Sequence, residues 1–341
     1  MTKRRGPDVV IVGAGLMGRW HARYAAAAGA RIAAIVDPDL SAARRLARRF
    51  EGSAVFAGIE ECLEGTAGAA VHVCSPTGAH ASHAAAALSA GRHVLVEKPL
   101  AASAAQSERL LDDAGSRGLV LTAVHQFPFQ RGARRLRADI ERLGEIVRCE
   151  FVLCSAGGQG LDEAGRRRVL LEMLAHPVSL VGFLFGLFGR GGASRPAWRP
   201  RRFTSEELIL IAEDGGASFE VFLSLRGRPT RCELIVTGTR ATAFLDLFHG
   251  FRWIDGAEPS RLAKAAAPFR RGAKLSGVAA SNLLRRAFSS QPAYPGLPEL
   301  IRGFYAAIRQ DGPPPVGREE ILETARLADR LSADAASGAL T

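Results

Sequence analysis

Apolar residues follow two rhythms along this chain. Up to about residue 126 they form short continuous runs: DVVIVG (8–13), RIAAIVD (31–37), AAVHVCSP (69–76), RHVLVEKP (92–99) and GLVLTAVHQ (118–126). Between them lie an alanine-rich stretch reaching about Ala28 and helical stretches at about 79–90 and 103–117. A continuous apolar run suits a strand covered on both faces, and strands alternating with helices predict a parallel, doubly wound sheet. Beyond residue 126 the rhythm changes. VRCEFVLCSA (147–156) alternates as a half-buried strand, GLDEAGRRRV (160–169) reads as a polar loop, and LLEMLAHPVSLVGFLFG (170–186) as one helix. Residues 205–254 read as hairpins of an open antiparallel sheet, with turns at Asp214-Gly215-Gly216 and Gly238-Thr239. Two helices close the chain. The expected organisation is a first domain over 1–125 and a second, α/β domain over 126–341, whose last helices pack back on the first.

The first run leads directly into Gly13-Ala14-Gly15-Leu16-Met17-Gly18, then a helix, then a second run ending at Asp37, nineteen residues beyond Gly18. This is the glycine fingerprint of a Rossmann dinucleotide-binding unit in its full context of strand, turn, helix, strand and acid. Gly13 permits the tight turn, Gly15 lets the backbone approach a pyrophosphate, and Gly18 lets helix and strand pack closely. The helix N-terminus offers its amides and positive dipole end to the anion. Asp37 suits the two ribose hydroxyls and repels a 2′-phosphate, so NAD is expected over NADP, with Arg44 and Arg45 moderating that preference.

Composition sharpens this picture at two points. The 341 residues carry 45 basic and 34 acidic side chains, a formal charge of +11, yet only Lys3, Lys98, Lys264 and Lys274 are lysines. Arginine stays charged at any workable pH, whereas a lysine can be tuned to give and take protons, so each lysine is worth following. The five cysteines (Cys62, Cys74, Cys149, Cys154 and Cys232) show no C-x-x-C spacing and read as buried thiols of a reducing compartment. No run of 18 apolar residues appears, and a cytoplasmic location is the expectation. No metal site is expected: the cysteines are scattered, and His80 and His83 are read as flanking a strand-end loop.

Ligands of doubly wound sheets sit beyond the carboxyl ends of strands. Three such ends carry polar residues: Ser75-Pro76-Thr77, Glu97-Lys98-Pro99 and His125-Gln126. Candidate cofactor contacts are therefore Gly13, Gly15, Leu16, Met17, Gly18 and Asp37, joined by Ser75, Pro76, Thr77, His80, Glu97, Lys98 and Gln126. Lys98 follows an apolar strand directly, where a nicotinamide would lie, and is the foremost catalytic candidate.

Three stretches together, GAGLMG, SPTGAHASHAAAALSAGRHVLVEKPLA (75–101) and LLEMLAHPVSLVGFLFG, resemble the Gfo/Idh/MocA family of oxidoreductases. The resemblance implies an N-terminal Rossmann domain, and a C-terminal α/β domain whose large, mostly antiparallel sheet forms homodimers or homotetramers. It implies NAD(P)-linked oxidation or reduction at a carbinol of a sugar, sugar nucleotide or cyclitol. Glu172 and His176 are four apart and share one helix face. In the family the corresponding pair is usually Asp-x-x-x-His, the histidine serving as acid or base on the reacting hydroxyl. His176 takes that role by resemblance, with a pKa suited to it. Glu172, a methylene longer than the usual aspartate, would orient the imidazole or bind a substrate hydroxyl. Lys98 would donate to the same oxygen. Two alternatives stay open: an epimerase or lyase that retains its nicotinamide, and a non-catalytic NAD-sensing protein.

The charge is also unevenly spread. Residues 259–291 hold seven basic side chains and no acid, interleaved with Leu262, Phe269, Leu275, Leu283, Leu284 and Phe288. The stretch reads either as a solvated insertion or as a basic amphipathic element touching anionic lipid or a phosphate-bearing substrate. No nucleic-acid recognition signature accompanies the charge, and no nucleic-acid partner is expected.

Overall fold

The computed structural model describes residues 6–188, 196–256, 260–288, 291 and 293–337. Lys3, and Pro259, Ser289 and Ser290 of the basic stretch, lie outside the described residues. The chain divides into two compact units, one of Met1–His125 with Leu297–Asp329 and one of Gln126–Gly296 with Arg330–Thr341.

In the first unit β1 (Asp8–Val12), α1 (Leu16–Ala27), β2 (Arg31–Val36), α2 (Leu40–Ala47), β3 (Ala54–Phe56) and α3 (Ile59–Gly65) lead into β4 (Ala70–Val73). Helix α4 (Thr77–Ser89), β5 (His93–Val96), α5 (Ala104–Ser116) and β6 (Leu121–Ala123) follow. The strands form one six-stranded sheet in the order β3-β2-β1-β4-β5-β6, every pair parallel. Its central strands are buried on both faces, which is why their sequences are runs rather than alternations. The order reverses between β1 and β4, and in such sheets that switch point opens the crevice where ligands bind. The turns into the flanking helices are set locally: Asp39 accepts the Ser41 and Ala42 amides ahead of α2, and Ser103 accepts the Gln106 amide ahead of α5.

The second unit begins with α6 (Arg131–Ala138), β7 (Ile146–Cys154), α7 (Glu163–Met173) and α8 (Ala175–Phe185). Strands β8 (Arg199–Phe203), β9 (Glu207–Asp214), β10 (Ala217–Ser224), β11 (Arg231–Gly238), β12 (Ala241–Asp246) and β13 (Phe251–Gly256) complete a seven-stranded sheet. Its order is β13-β12-β11-β7-β10-β9-β8; among the described residues β10 runs parallel to β7 and the other neighbours are antiparallel. Helix α9 (Arg261–Phe288) follows, then α10 (Leu297–Gln310) and α11 (Arg318–Ala336). Residues 297–329 complete the first unit. There the Tyr305 hydroxyl meets His72 Nε2 at 3.0 Å, Arg318 pairs with Asp112 at 2.7 Å, and the Ala104 amide donates to Asp329 at 2.9 Å.

Two local features differ from the sequence expectation. The polar loop is shorter, because Asp162 accepts the Gly165 amide at 2.8 Å and starts α7 at Glu163. The helix expected over 170–186 is interrupted at Leu174, because Pro177 has no amide to offer the Met173 carbonyl. Leu174 itself stays right-handed (φ −58°, ψ −30°). The whole stretch Glu163–Phe185 is long and apolar enough to cross a membrane by length and composition alone, but 61% of its apolar window is buried inside the fold, as in a core helix pair. Most of the basic stretch is a single 28-residue helix, despite Pro268 inside it.

Candidate functional site

The glycine turn shows why each of its residues is small. Gly13 holds φ at +100°, and a Cβ there would lie 2.6 Å from the Cys74 carbonyl oxygen, so both conformation and space demand glycine. A Cβ on Gly18 would lie 1.8 Å from the Gly13 carbonyl oxygen, so α1 can sit on the turn only without one. Gly15 is different: a Cβ there meets nothing within 4 Å, leaving open space above an exposed backbone. No side chain caps α1 and no acid stands in its first turn, so its leading amides face that space unneutralised. These features fit the pyrophosphate of a dinucleotide. Leu16 is 55% exposed beside the turn and Met17 is half-buried. At the end of β2, Asp37 accepts the Ala14 amide at 2.7 Å and the Asp39 amide at 2.9 Å. Those bonds tie the ribose-binding candidate to the glycine turn and aim its carboxylate.

The neighbouring strand ends are cross-braced. His80 is buried, with Nε2 at 2.7 Å from the Ser75 carbonyl oxygen and Nδ1 at 2.7 Å from the Pro99 carbonyl oxygen. Both nitrogens are thus turned inward, and the residue holds the loops after β4 and β5 together. Ser75 Oγ meets His83 Nδ1 at 2.9 Å, while Pro76 and Thr77 open α4. Glu97 also faces inward: its Oε2 accepts the Lys98 amide at 3.2 Å and its Oε1 meets His21 Nε2 at 3.0 Å. Lys98 is half-buried directly after β5. At the next strand end His125 meets Glu320 at 2.8 Å.

Beneath Glu97 lies a polar chain that sequence spacing does not suggest. His21 Nδ1 stands 3.1 Å from His72 Nδ1, whose Nε2 stands 3.0 Å from the Tyr305 hydroxyl, all within the apolar interior. Burial, and secondarily the His21 charge, push the His72 pKa well below the usual histidine value. Burial raises that of Glu97, but the His21 hydrogen bond and charge, with Lys98, outweigh it and leave it lowered. A histidine depressed in the folded state takes up its proton only on unfolding. Its contribution is therefore complete above pH ~6.5 and is lost as pH falls below that value, by up to about 1.4 kcal/mol per pH unit. We expect the thermal midpoint of the wild type to fall more steeply between pH 6.5 and 5 than that of His72→Gln, measured by circular dichroism. Parallel slopes would show that His72 carries no such load.

In the second unit Gln126 is buried ahead of a tight turn over Phe127–Phe129. Glu172 lies in the last turn of α7 and His176 in the first turn of α8, on either side of Leu174. The His176 ring is stacked on Phe127, with centroids 4.3 Å apart and planes 14° from parallel. That flat contact fixes the ring plane, a feature the sequence signals only as the FPF triplet. The candidate residues thus fall into two sets. The glycine turn, Asp37, Ser75, Pro76, Thr77, Glu97 and Lys98 follow the carboxyl ends of β1, β2, β4 and β5 in the first unit, whereas Gln126, Glu172 and His176 belong to the second. Among the described residues no group of three histidine, cysteine or acidic side chains is placed to hold a metal ion.

A family profile described as an oxidoreductase family with an NAD-binding Rossmann fold matches residues 8–125. An inositol 2-dehydrogenase of Azotobacter vinelandii is 31% identical over 246 residues, covering 67% of this chain and 71% of that protein. A dTDP-3,4-didehydro-2,6-dideoxy-alpha-D-glucose 3-reductase of Streptomyces violaceoruber is 33% identical over 170 residues, covering 48% of this chain and 49% of that protein. The chain thus spans about half the length of that relative, and less of several others. Among solved structures, the WlbA dehydrogenase of Bordetella pertussis, in complex with NADH and UDP-GlcNAcA, superposes with a TM-score of 0.74 at 18% identity, covering 99% of this chain and 98% of that one.

Proposed function

The chain belongs to the Gfo/Idh/MocA family, and on that premise we propose that it is an NAD-dependent oxidoreductase acting on a carbinol carbon of a sugar, sugar nucleotide or cyclitol. The observation that carries this reading is the uncapped start of α1 above Gly15, with Asp37 and Lys98 at the ends of β2 and β5 in the same unit. The named relatives, an inositol dehydrogenase and a nucleotide-sugar reductase, support the substrate class.

Gly13, Gly15, Leu16, Met17 and Gly18 would hold the pyrophosphate and Asp37 the adenosine ribose, with Ser75, Pro76, Thr77, Lys98 and Gln126 toward the nicotinamide; Glu97 and His80, both turned inward, would shape its loops rather than touch it. The nicotinamide, when bound, supplies the hydride acceptor or donor. The protein's share is positioning and charge. Lys98 donates a hydrogen bond to the oxygen that develops alkoxide character and places its charge against it, keeping its own proton. His176, its ring plane set by Phe127, takes up or returns the hydroxyl proton. Glu172 orients that imidazole or binds a neighbouring hydroxyl.

A homodimer or homotetramer through the second sheet belongs to this reading. The register places Phe222 beside Ile209 and Val152, and Ile235 beside Phe244; all five stay partly exposed on the sheet. Five free thiols, four of them buried, support a cytoplasmic, reducing location, and the basic stretch supports a peripheral contact with anionic lipid or a phosphate-bearing substrate. The test is a thermal-shift panel of nucleotide sugars and cyclitols with NAD or NADP present, followed by absorbance at the reduced nicotinamide band. We expect NAD to raise the midpoint more than NADP, and a member of the panel to be turned over. Failure of both dinucleotides to bind would overturn the reading; tight NAD retention without net turnover would move it to an epimerase or lyase.

A further inference from the structure

Helix α9 presents the wrong face to solvent for a solvated insertion. One side is fastened to the second unit: Asp255 on β13 pairs with Arg271 at 3.3 Å and with Lys274 at 3.4 Å, Asn282 donates to the His249 carbonyl at 2.8 Å, and Ala267 is buried. The outward side carries Phe269, Ala273, Ala280, Leu283, Leu284 and Ala287, spaced at three, four and seven residues and all exposed. Phe269 is 81% exposed, Leu283 69%, Leu284 60%, and Phe288 at the helix end 88%. Water gains nothing from such a stripe, and clustered large apolar side chains on a surface mark a contact.

Along the helix, between α6, β13 and α9, is a cavity of about 260 Å³ lined by Arg131, Arg135, Arg252 and Arg285, with Ser281, Asn282, glycines and the apolar Phe251 and Val278, and without a carboxylate. Asp139 pairs with Arg252 from outside the lining. Planar guanidinium groups with hydroxyl and amide neighbours match the oxygens of a phosphate. Gly277 and Ser281, on this lining, sit one or two turns from Leu284 on α9, so the cavity wall and the apolar stripe adjoin.

We propose that α9 docks this protein on an anionic lipid surface, the arginine-lined cavity receiving a lipid phosphate while Phe269, Leu283, Leu284 and Phe288 enter the headgroup–acyl boundary. An amphipathic helix of this kind lies in the interface plane, and its basic side chains reach the phosphates beside its apolar face. A second copy of the chain is a poorer occupant. A symmetric contact would set α9 against itself: beyond Arg271 and Lys274, which Asp255 answers, its five other basic side chains would be doubled without an acid in the helix to offset them. The inference does not depend on the oxidoreductase reading.

The test is co-sedimentation of the full chain with vesicles of phosphatidylcholine alone and of phosphatidylcholine with phosphatidylglycerol. Partition onto the anionic vesicles alone is expected, falling roughly 25-fold in Arg131→Ala with Arg135→Ala, at about fivefold per basic side chain. Phe269→Ser with Leu284→Ser is expected to fall comparably, with an unchanged thermal midpoint because both positions are solvent-facing. Absent or lipid-independent partition overturns the proposal. So does undiminished binding in the apolar variant, which leaves only diffuse charge attraction. A dimer abolished by Phe269→Ser with Leu284→Ser, or stabilisation by inorganic phosphate, overturns it when vesicle binding is absent, assigning the face to a second copy or the cavity to free phosphate.

Discussion

Lys98→Met is expected to leave dinucleotide affinity within a factor of about two while lowering kcat by roughly 10²–10³-fold, equivalent to about 2.7–4 kcal/mol of transition-state stabilisation. Methionine keeps much of the length of lysine and loses its charge and donors. The backbone at this position is held independently of the side chain, because the Lys98 amide donates to Glu97 Oε2 and the other Glu97 oxygen is engaged by His21. Glu97 is buried and anchored from below, so the turn keeps its shape when the ammonium group is removed. What disappears is a positive group half-buried at the end of β5, where solvent screens it less than on an open surface. A cofactor titration by calorimetry separates the two effects. Turnover within tenfold of the wild type would remove Lys98 from the chemistry; loss of dinucleotide binding would make it a cofactor ligand instead.

Gly18→Ala and Gly15→Ala are expected to fail in opposite ways, although they stand three residues apart. The methyl group of the first would be driven to 1.8 Å from the Gly13 carbonyl oxygen and 2.9 Å from its carbon. That neighbour is backbone, locked by the Gly13 amide bond to the Val36 carbonyl at 2.7 Å, so it cannot swing aside. Helix α1 must then lift from the turn, at a cost of about 1–3 kcal/mol or more. In a chain of 341 residues that lowers the midpoint by roughly 1–4 °C. Gly15 has φ −68° and open space around its position. Alanine there leaves the midpoint unchanged but stands where the phosphates would approach, and NAD affinity is expected to fall at least tenfold. Scanning calorimetry with and without NAD distinguishes the pair. Equal midpoints for Gly18→Ala and wild type would contradict the close packing of α1 on the turn.

The elements that can be read from sequence are those whose cause is local. Gly13, Gly15 and Gly18 lie within six residues, and the strands of the first sheet declare themselves because both faces are buried. Lys98 stands out because lysines are so few and because it ends an apolar run. The α7 start is equally local, Asp162 capping Gly165, but the polarity of the segment masks it. The break at Leu174 comes from Pro177, whose effect is concealed by the apolar residues on either side. Other features have no local cause. His21 and His72 are 51 residues apart and Tyr305 is 233 beyond His72, so only the folded sheet makes one chain of them. The parallel pairing of β7 with β10 and the outward turn of the α9 apolar stripe likewise depend on what the rest of the unit covers.

The division of the chain has a consequence for its birth on the ribosome. The first unit is closed by residues 297–329; the larger part of the second, Gln126–Gly296, is inserted between its two parts, and the remainder, Arg330–Thr341, follows them. At about 5–20 residues per second, synthesis leaves His72 and Thr122 waiting on the order of ten to fifty seconds for Tyr305 and Val316 to emerge. During that interval Gln126–Gly296, the larger part of the second unit, can fold while the first sheet, its strands already made, lacks the cover of residues 297–329 and leaves its buried histidines open to water. The segment translated in the middle therefore gathers while the amino-terminal one waits, and both units close only when their carboxyl-terminal parts arrive.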